Sequence, residues 1–377
     1  MRGRGRGTIN ESRGTRKPQN NRGAPRNSTW DRALAGTSTN PVPKSLSSTN
    51  RQIKPNDQSK LQLIPSVSRS SGLEPNGDAL RSFSTQEEYW AFITEKIETL
   101  EVPGRLDHKN LSQTERQEKE SNVMILLRKL REGFVSTKRR DDFAMQVVEK
   151  SVYLSILYNS PVNIASSFSY LLEGYANATP TTRPESGTKS AFNEAAIGLV
   201  HFLQSILDEF PSQRASYRLV AQPHCANHPT CLARDSIEWS VASDIGSALR
   251  RGNWWALERL TNLEIISERL KHAPWVGDIQ TDANNEDDTF SALPPRALNH
   301  LLEQLRTKVR SHAWPVLRSA YREVVGATWL ERSLLLPKGD TGGLGEFMKT
   351  AVERSEAAAK DAPEGTNVWT LRRPLVT

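Results

Sequence analysis

S-A-L-R-R-G-N-W-W-A-L-E-R-L, residues 247–260, encodes the end of one helix, a turn and the start of the next. Ahead of the turn, Ile237, Val241, Ile245 and Leu249 keep an i, i+4 rhythm that puts them on one helical face. Gly252 is the residue type best able to take the left-handed conformation that closes a helix. Asn253 can then accept from the free N–H groups of a second helix carrying Trp254, Trp255, Leu257, Leu260 and Leu263. A tight helical hairpin is expected, with Gly252, Asn253, Trp254 and Trp255 as its structural centre.

Upstream, the same pattern repeats. Ser84 with Glu87 and Ser112 with Glu115 have capping-box spacing. Tyr89, Ile93, Ile97 and Leu100 form one apolar stripe; Val123, Leu126, Leu127, Leu130 and Phe134 form another. Asp141 or Asp142 opens a helix with Val147, Val148 and Val152. Pro161 restarts one with Ile164, Phe168 and Leu171, and a further helix runs over 190–210. No convincing alternating strand precedes residue 310. Amphipathic helices in antiparallel pairs stack into a solenoid, each pair covering its neighbour's apolar face, and the last pair needs a cap.

Downstream, Pro294-Pro295 restarts a helix with Leu298, Leu301, Leu302, Leu305 and Val309. Trp314, Leu317, Tyr321 and Val324 predict one more, and Trp329, Leu330, Leu334 and Leu335 a short one. Followed by the Gly-broken stretch at 338–345, these suit a small winged-helix cap. Residues 353–360 are Ala-rich and helix-prone, and the end of the chain, with Trp369, Arg372 and Arg373, reads as a strand or a loose tail. The fold class is therefore mainly α, a helical-hairpin solenoid capped by a winged-helix module. Residues 1–80 form a disordered basic tail, 81–235 the helical repeats, 236–350 the hairpin and cap, and 351–377 a C-terminal tail.

Only 36% of the 377 residues are hydrophobic and the mean hydropathy is −0.58, so part of the chain is not expected to fold. The net charge of +7 is uneven: residues 1–80 hold fourteen Lys+Arg against five Asp+Glu. That segment begins M-R-G-R-G-R-G. Arg2, Arg4, Arg6, Arg13, Arg16 and Lys17, spaced by small residues, suit salt-sensitive and sequence-tolerant contact with an RNA backbone; a solubilising or nuclear-import tail is the plainer alternative. On the cap helices Lys308, Arg310, Arg318 and Arg322 recur at spacings that suit one positive face, and a solvated stripe is again the alternative. The Trp254-Trp255 pair suits base stacking less well than packing.

Cys225 and Cys231 are too few for a disulfide framework, and no N-terminal apolar segment resembles a secretion signal, so a reducing intracellular compartment is expected. His224, Cys225, His228 and Cys231 make the one dense ligand cluster. Four donors within eight residues are too cramped for a tetrahedral zinc site, and no metal is expected. No Walker A, G-x-S-x-G or H-E-x-x-H motif occurs. The expectation is a non-enzyme with no cofactor, no small-molecule substrate and no membrane partner.

Several stretches resemble the PCI-domain proteins of the GANP and Sac type, helical scaffolds linked to nuclear mRNA export. They are L-R-K-L-R-E-G at 127–133, D-D-F-A-M-Q-V-V-E-K-S at 141–151, S-Y-R-L-V at 216–220, A-L-R-R-G-N-W-W-A-L-E-R-L at 248–260 and V-L-R-S-A-Y-R-E-V at 316–324. Their order matches that of the family, over roughly residues 120–336. The resemblance implies a nuclear scaffold, also found in the cytoplasm, that docks other PCI-domain or complex subunits and RNA. The alternative is a subunit of a proteasome-lid, COP9-signalosome or translation-initiation assembly.

Overall fold

Capping chemistry sets where the helices begin and end. At Ser112 the hydroxyl accepts from the Glu115 N–H while the Glu115 carboxylate accepts from the Ser112 N–H at 2.9 Å; these bonds hold the Glu115 carboxyl below its usual range. Asp141 Oδ1 accepts from Ala144 N at 3.0 Å and Ser236 Oγ from Trp239 N at 3.1 Å. Gly252, at φ +60°, terminates its helix by donating to Leu249 O, and Asn253 N donates to Ala248 O. Asn253 then opens the following helix by accepting from Ala256 N at 3.0 Å, so one residue serves both ends of the turn.

The structure is a computed structural model. It describes residues 61–67, 78–101, 112–177, 194–221, 232–273, 275–276, 290, 292–325, 327–337, 343–360 and 368–374, all within the unit Ile53–Thr377. In chain order its helices are α1 (Phe83–Glu101), α2 (Gln113–Thr137), α3 (Asp142–Leu157), α4 (Pro161–Asn177), α5 (Glu194–Glu209), α6 (Arg214–Ala221), α7 (Ile237–Arg250), α8 (Trp254–Leu260), α9 (Leu263–Leu270) and α10 (Leu293–Ala320). Strand β1 (Glu323–Val325), helices α11 (Ala327–Ser333) and α12 (Leu344–Glu353), and strands β2 (Ala357–Lys360) and β3 (Val368–Leu371) complete the chain. The protein is mainly helical with one small antiparallel sheet, in which β3 lies between β1 and β2.

Helix α1 packs on α2, α3 on α4, α5 on α6 and α7, and α7 on α8, with a continuous apolar core from Ile64 to Leu335. A second core holds Trp314, Leu317, Val324, Leu330, Leu334, Leu336, Met348 and Trp369. Helix α10 connects the two cores: its first half packs across α3 and α5, and Trp314 and Leu317 near its end enter the second.

Six sequence readings are corrected here. Ser84 with Glu87 does not cap α1, since the helix already begins at Phe83 and Glu87 pairs with Arg139. The tail expected over 1–80 is not unpacked throughout, since Ile64, Ser66 and Leu80 are buried and Lys129 Nζ donates to Ile64 O at 2.8 Å. The two helices expected over 298–324 are one helix to Ala320 despite Pro315, because both halves are anchored in apolar cores. Val324 falls in β1 instead. Leu263 begins α9 rather than extending α8, because Asn262 Oδ1 accepts from Glu264 N and starts a new helix. The Ala-rich run at 357–360 is a strand. Ser355, at φ +59°, stops α12, and pairing of Ala357–Lys360 with β3 outweighs the helix preference of alanine.

The joint between the two cores is built on arginine. Arg306, 5% exposed, donates from Nη2 to Leu335 O at 3.0 Å and from Nη1 to Thr261 Oγ1 at 3.3 Å; Arg310 donates to Leu334 O at 2.9 Å and Leu335 O at 3.0 Å. Leu335 itself sits at φ +52°, a conformation that leucine rarely adopts. Its side chain enters the first core while Leu334 and Leu336 enter the second.

Glycine geometry supplies a test of packing with a sign. A Cβ on Gly133 would lie 2.9 Å from the Leu80 carbonyl oxygen, whereas one on Gly345 meets nothing within 4 Å. Gly133→Ala is expected to lower stability by about 1–3 kcal/mol in urea unfolding through overpacking, while Gly345→Ala is neutral or slightly stabilising.

Candidate nucleic-acid interface

The four cap residues read as one positive face do not form one. Lys308 Nζ donates to Leu207 O at the end of α5, and Arg310 is committed to the Leu334 and Leu335 carbonyls that follow α11, where burial lowers its pKa. Arg318, 9% exposed, donates from Nε to Arg372 O at 2.8 Å and pairs through Nη1 with Glu356 at 2.9 Å. Arg322 is exposed, and Lys308 is exposed along its length with its ammonium turned to the Leu207 carbonyl. Three of these cations therefore act as donors that tie α10 to its neighbours. Arg2, Arg4, Arg6, Arg13, Arg16 and Lys17 lie outside the described residues, as do His224, Cys225, His228 and Cys231. Among the described residues, no group of three or more His, Cys, Asp or Glu is placed to hold a metal.

In the basic run Lys138-Arg139-Arg140, Lys138 is exposed and both arginines are drawn inward. Arg139 donates to Gln86 Oε1 at 3.1 Å, pairs with Glu87 and Asp141 at 2.7 Å each and lies over the Phe83 and Phe143 rings. Arg140 covers the Tyr170 ring and pairs with Glu173. The tryptophans of the hairpin divide: Trp254 packs partly buried against the first core, edge-on to His312. Trp255 donates from Nε1 to Ser333 Oγ at 2.9 Å, and the Arg332 guanidinium lies over its ring at 4.5 Å. Trp255 therefore fastens the hairpin to α11, with one face already covered by a cation.

A group of exposed cations lies elsewhere, at the ridge formed by α6 and the end of α7. Helix α6 turns Ser216 inward and leaves Arg214, Tyr217 and Arg218, three and four positions apart, facing out. Tyr217 is 52% exposed, and the Arg250 guanidinium lies 5.1 Å from its ring centroid. Arg251 follows at the exposed turn before Gly252. Helix α6 carries no carboxylate. The two on α7 are engaged elsewhere: Glu238 accepts from Trp275 Nε1 at 2.8 Å, and Asp244 pairs with Arg269. Among the described residues, no carboxylate forms an ion pair with Arg214, Arg218, Arg250 or Arg251.

Exposed guanidinium groups on a ridge that also carries an exposed aromatic ring have a definite chemistry. They can follow a phosphate backbone while the ring, or a guanidinium plane, stacks on a base. Sequence reading quoted Arg218 and Arg250-Arg251 only within longer motifs. The available signal was the i, i+4 pair Arg214/Arg218 around Tyr217 on a helix without acids.

A charge-reversal pair separates inward from outward cations. Arg318→Glu places a second negative charge beside Glu356 and is expected to cost about 3–5 kcal/mol in thermal or urea unfolding. Arg322→Glu is expected to stay within about 0.5 kcal/mol of the parent. Comparison with family models, with curated proteins and with solved structures returns no match to this chain.

Proposed function

We propose that this chain is a non-enzymatic scaffold of the PCI type, acting in a nuclear complex that handles mRNA. The observation that carries the reading is the order in which the chain closes: helix, strand, helix, helix, strand, strand, with β3 between β1 and β2. That is the order of a winged helix, and it follows a stack of paired helices to which it is joined through Arg306. Together with the motif order along residues 120–336, this favours the PCI scaffold over an unrelated helical repeat. No described helix is long and apolar enough to cross a membrane.

In this reading the helical array docks other complex subunits. RNA is held in two places, by the Arg-Gly tail and by the Arg214, Tyr217, Arg218, Arg250 and Arg251 ridge. The affinity is electrostatic and salt-dependent, with stacking on Tyr217 adding roughly 1–3 kcal/mol per base.

Binding to polyuridylate across a salt series tests the RNA part. Removing residues 1–52 is expected to weaken binding without abolishing it. In that shortened chain Tyr217→Ala costs about ten-fold or more, and each of Arg218→Gln and Arg250→Gln lowers the salt slope by about 0.7. Equal affinity for the parent and a chain lacking both the tail and the Tyr217 ring refutes it. Affinity purification with mass spectrometry tests the complex: mRNA-export partners support the proposal, whereas proteasome-lid, signalosome or initiation-factor subunits assign the chain to those assemblies.

A further inference from the structure

The cleft between α2 and α4 contains a buried cation whose protein partners are neutral. Arg131 is 7% exposed and donates from Nη1 to Ser167 Oγ at 2.7 Å and from Nη2 to Ser166 Oγ at 2.6 Å. Its sequence neighbour Glu132 pairs with Arg128 at 3.4 Å instead and reaches Arg131 only through space. Desolvation brings the Arg131 pKa down to about 10, so the guanidinium stays charged at neutral pH. Among the described residues, no carboxylate forms an ion pair with it. A buried charge without a counter-ion is unfavourable unless something supplies one.

Two further polar atoms in the same place are buried without a hydrogen bond: Asn163 Oδ1, an acceptor, and Arg128 Nε, a donor whose 3.4 Å contact with Glu132 Oε1 is an ion pair only. The cleft of about 430 Å³ that Arg128, Arg131 and Asn163 line continues into a second of about 540 Å³, with Arg128, Val162 and Asn163 common to both. Apolar side chains flank this groove in the open: Val162 is 79% exposed, Val135 56% and Ile125 44%. Glu173, on the rim, is already paired with Arg140.

We propose that the α2–α4 groove binds a short acidic peptide segment of a partner protein, seating an Asp or Glu carboxylate on Arg131 and Arg128 between aliphatic side chains packed on Ile125, Val135 and Val162. The proposal rests on the scaffold reading but not on RNA contact. Charge complementarity selects the carboxylate. The unfilled acceptor at Asn163 calls for an N–H donor, which a peptide backbone offers, and the exposed aliphatic rim calls for apolar partners that a phosphate backbone does not supply. Glu120, Glu132 and Glu173 also line the groove but are paired with Arg116, Arg128 and Arg140, so Arg131 is the uncompensated charge between the apolar ends and sets the spacing of the peptide.

Selection of random short peptides displayed on phage against the full chain, with the Val162→Asp chain as counter-selection, tests this. Expected is enrichment of sequences with an Asp or Glu bracketed by aliphatic residues. For the tightest of them, changing that carboxylate to the amide is expected to weaken binding about ten-fold, as is Val162→Asp in the protein, with thermal unfolding of the chain unchanged. Arg131→Gln is expected to abolish the difference between acid and amide peptides, a readout that a merely destabilised fold does not produce. Failure of any such motif to enrich overturns the proposal, as does equal binding of acid and amide peptides. Displacement of the peptide by polyuridylate, lost in the Arg131→Gln chain, assigns the groove to nucleic acid instead. Loss of polyuridylate binding through the Tyr217 ridge leaves these outcomes unmoved, so the two proposals fail separately.

Discussion

The Arg306 guanidinium determines how the two halves of the protein meet. It sits at the point where α8, α10 and the end of α11 converge, buried, and meets Thr261 Oγ1 and the Glu258, Leu335 and Leu336 carbonyls. Helix ends leave carbonyls without partners, and burying such an end requires donors from elsewhere. A neutral side chain cannot fan donors to that many acceptors in one plane; the guanidinium can. Arg310, one turn further along α10, repeats the arrangement. Because these bonds hold Leu335 at a positive φ, three consecutive leucines alternate between cores, and the sheet-bearing module is seated against the helical stack with no separate linker.

Arginine serves two opposite purposes in this chain. Arg131, Arg139, Arg306 and Arg318 are nearly or fully enclosed and organise backbone carbonyls, hydroxyls and carboxylates. Arg214, Arg218, Arg250 and Arg251 project from the ridge beside Tyr217. The division follows from what surrounds each group. An interior guanidinium is found where unpaired acceptors at helix ends or a nearby carboxylate offset its desolvation. An outward one is found where its helix has no acid, as on α6, or where the acids of its helix are engaged elsewhere, as on α7. Arg131 is the intermediate case, enclosed like the first set but bonded only to hydroxyls.

The helix limits were largely legible because they depend on neighbours within one turn. Ser112 with Glu115, Asp141 and the Gly252-Asn253 turn all act through bonds spanning a few residues. The readings that failed depend on distant partners. Continuity of α10 through Pro315 reflects anchoring in two separate cores, and the strand at Ala357–Lys360 exists only because β3 arrives to pair with it. The candidate site shows the same contrast. Lys308, Arg310 and Arg318 are indistinguishable from solvated cations in a helical projection, since their acceptors, Leu207, Leu334 and Arg372, are remote in sequence.

The amino-acid sequence by itself determined that this chain is built of paired amphipathic helices, and where most of them begin and end, since periodicity and capping are local. Tertiary structure alone decided that α10 runs through both cores, that an Ala-rich segment becomes a strand, and which arginines face water. Those outcomes are set by acceptors and apolar surfaces brought together from distant segments, and the energy of an arginine depends on what lies within a few ångströms of its guanidinium rather than on its place along the chain.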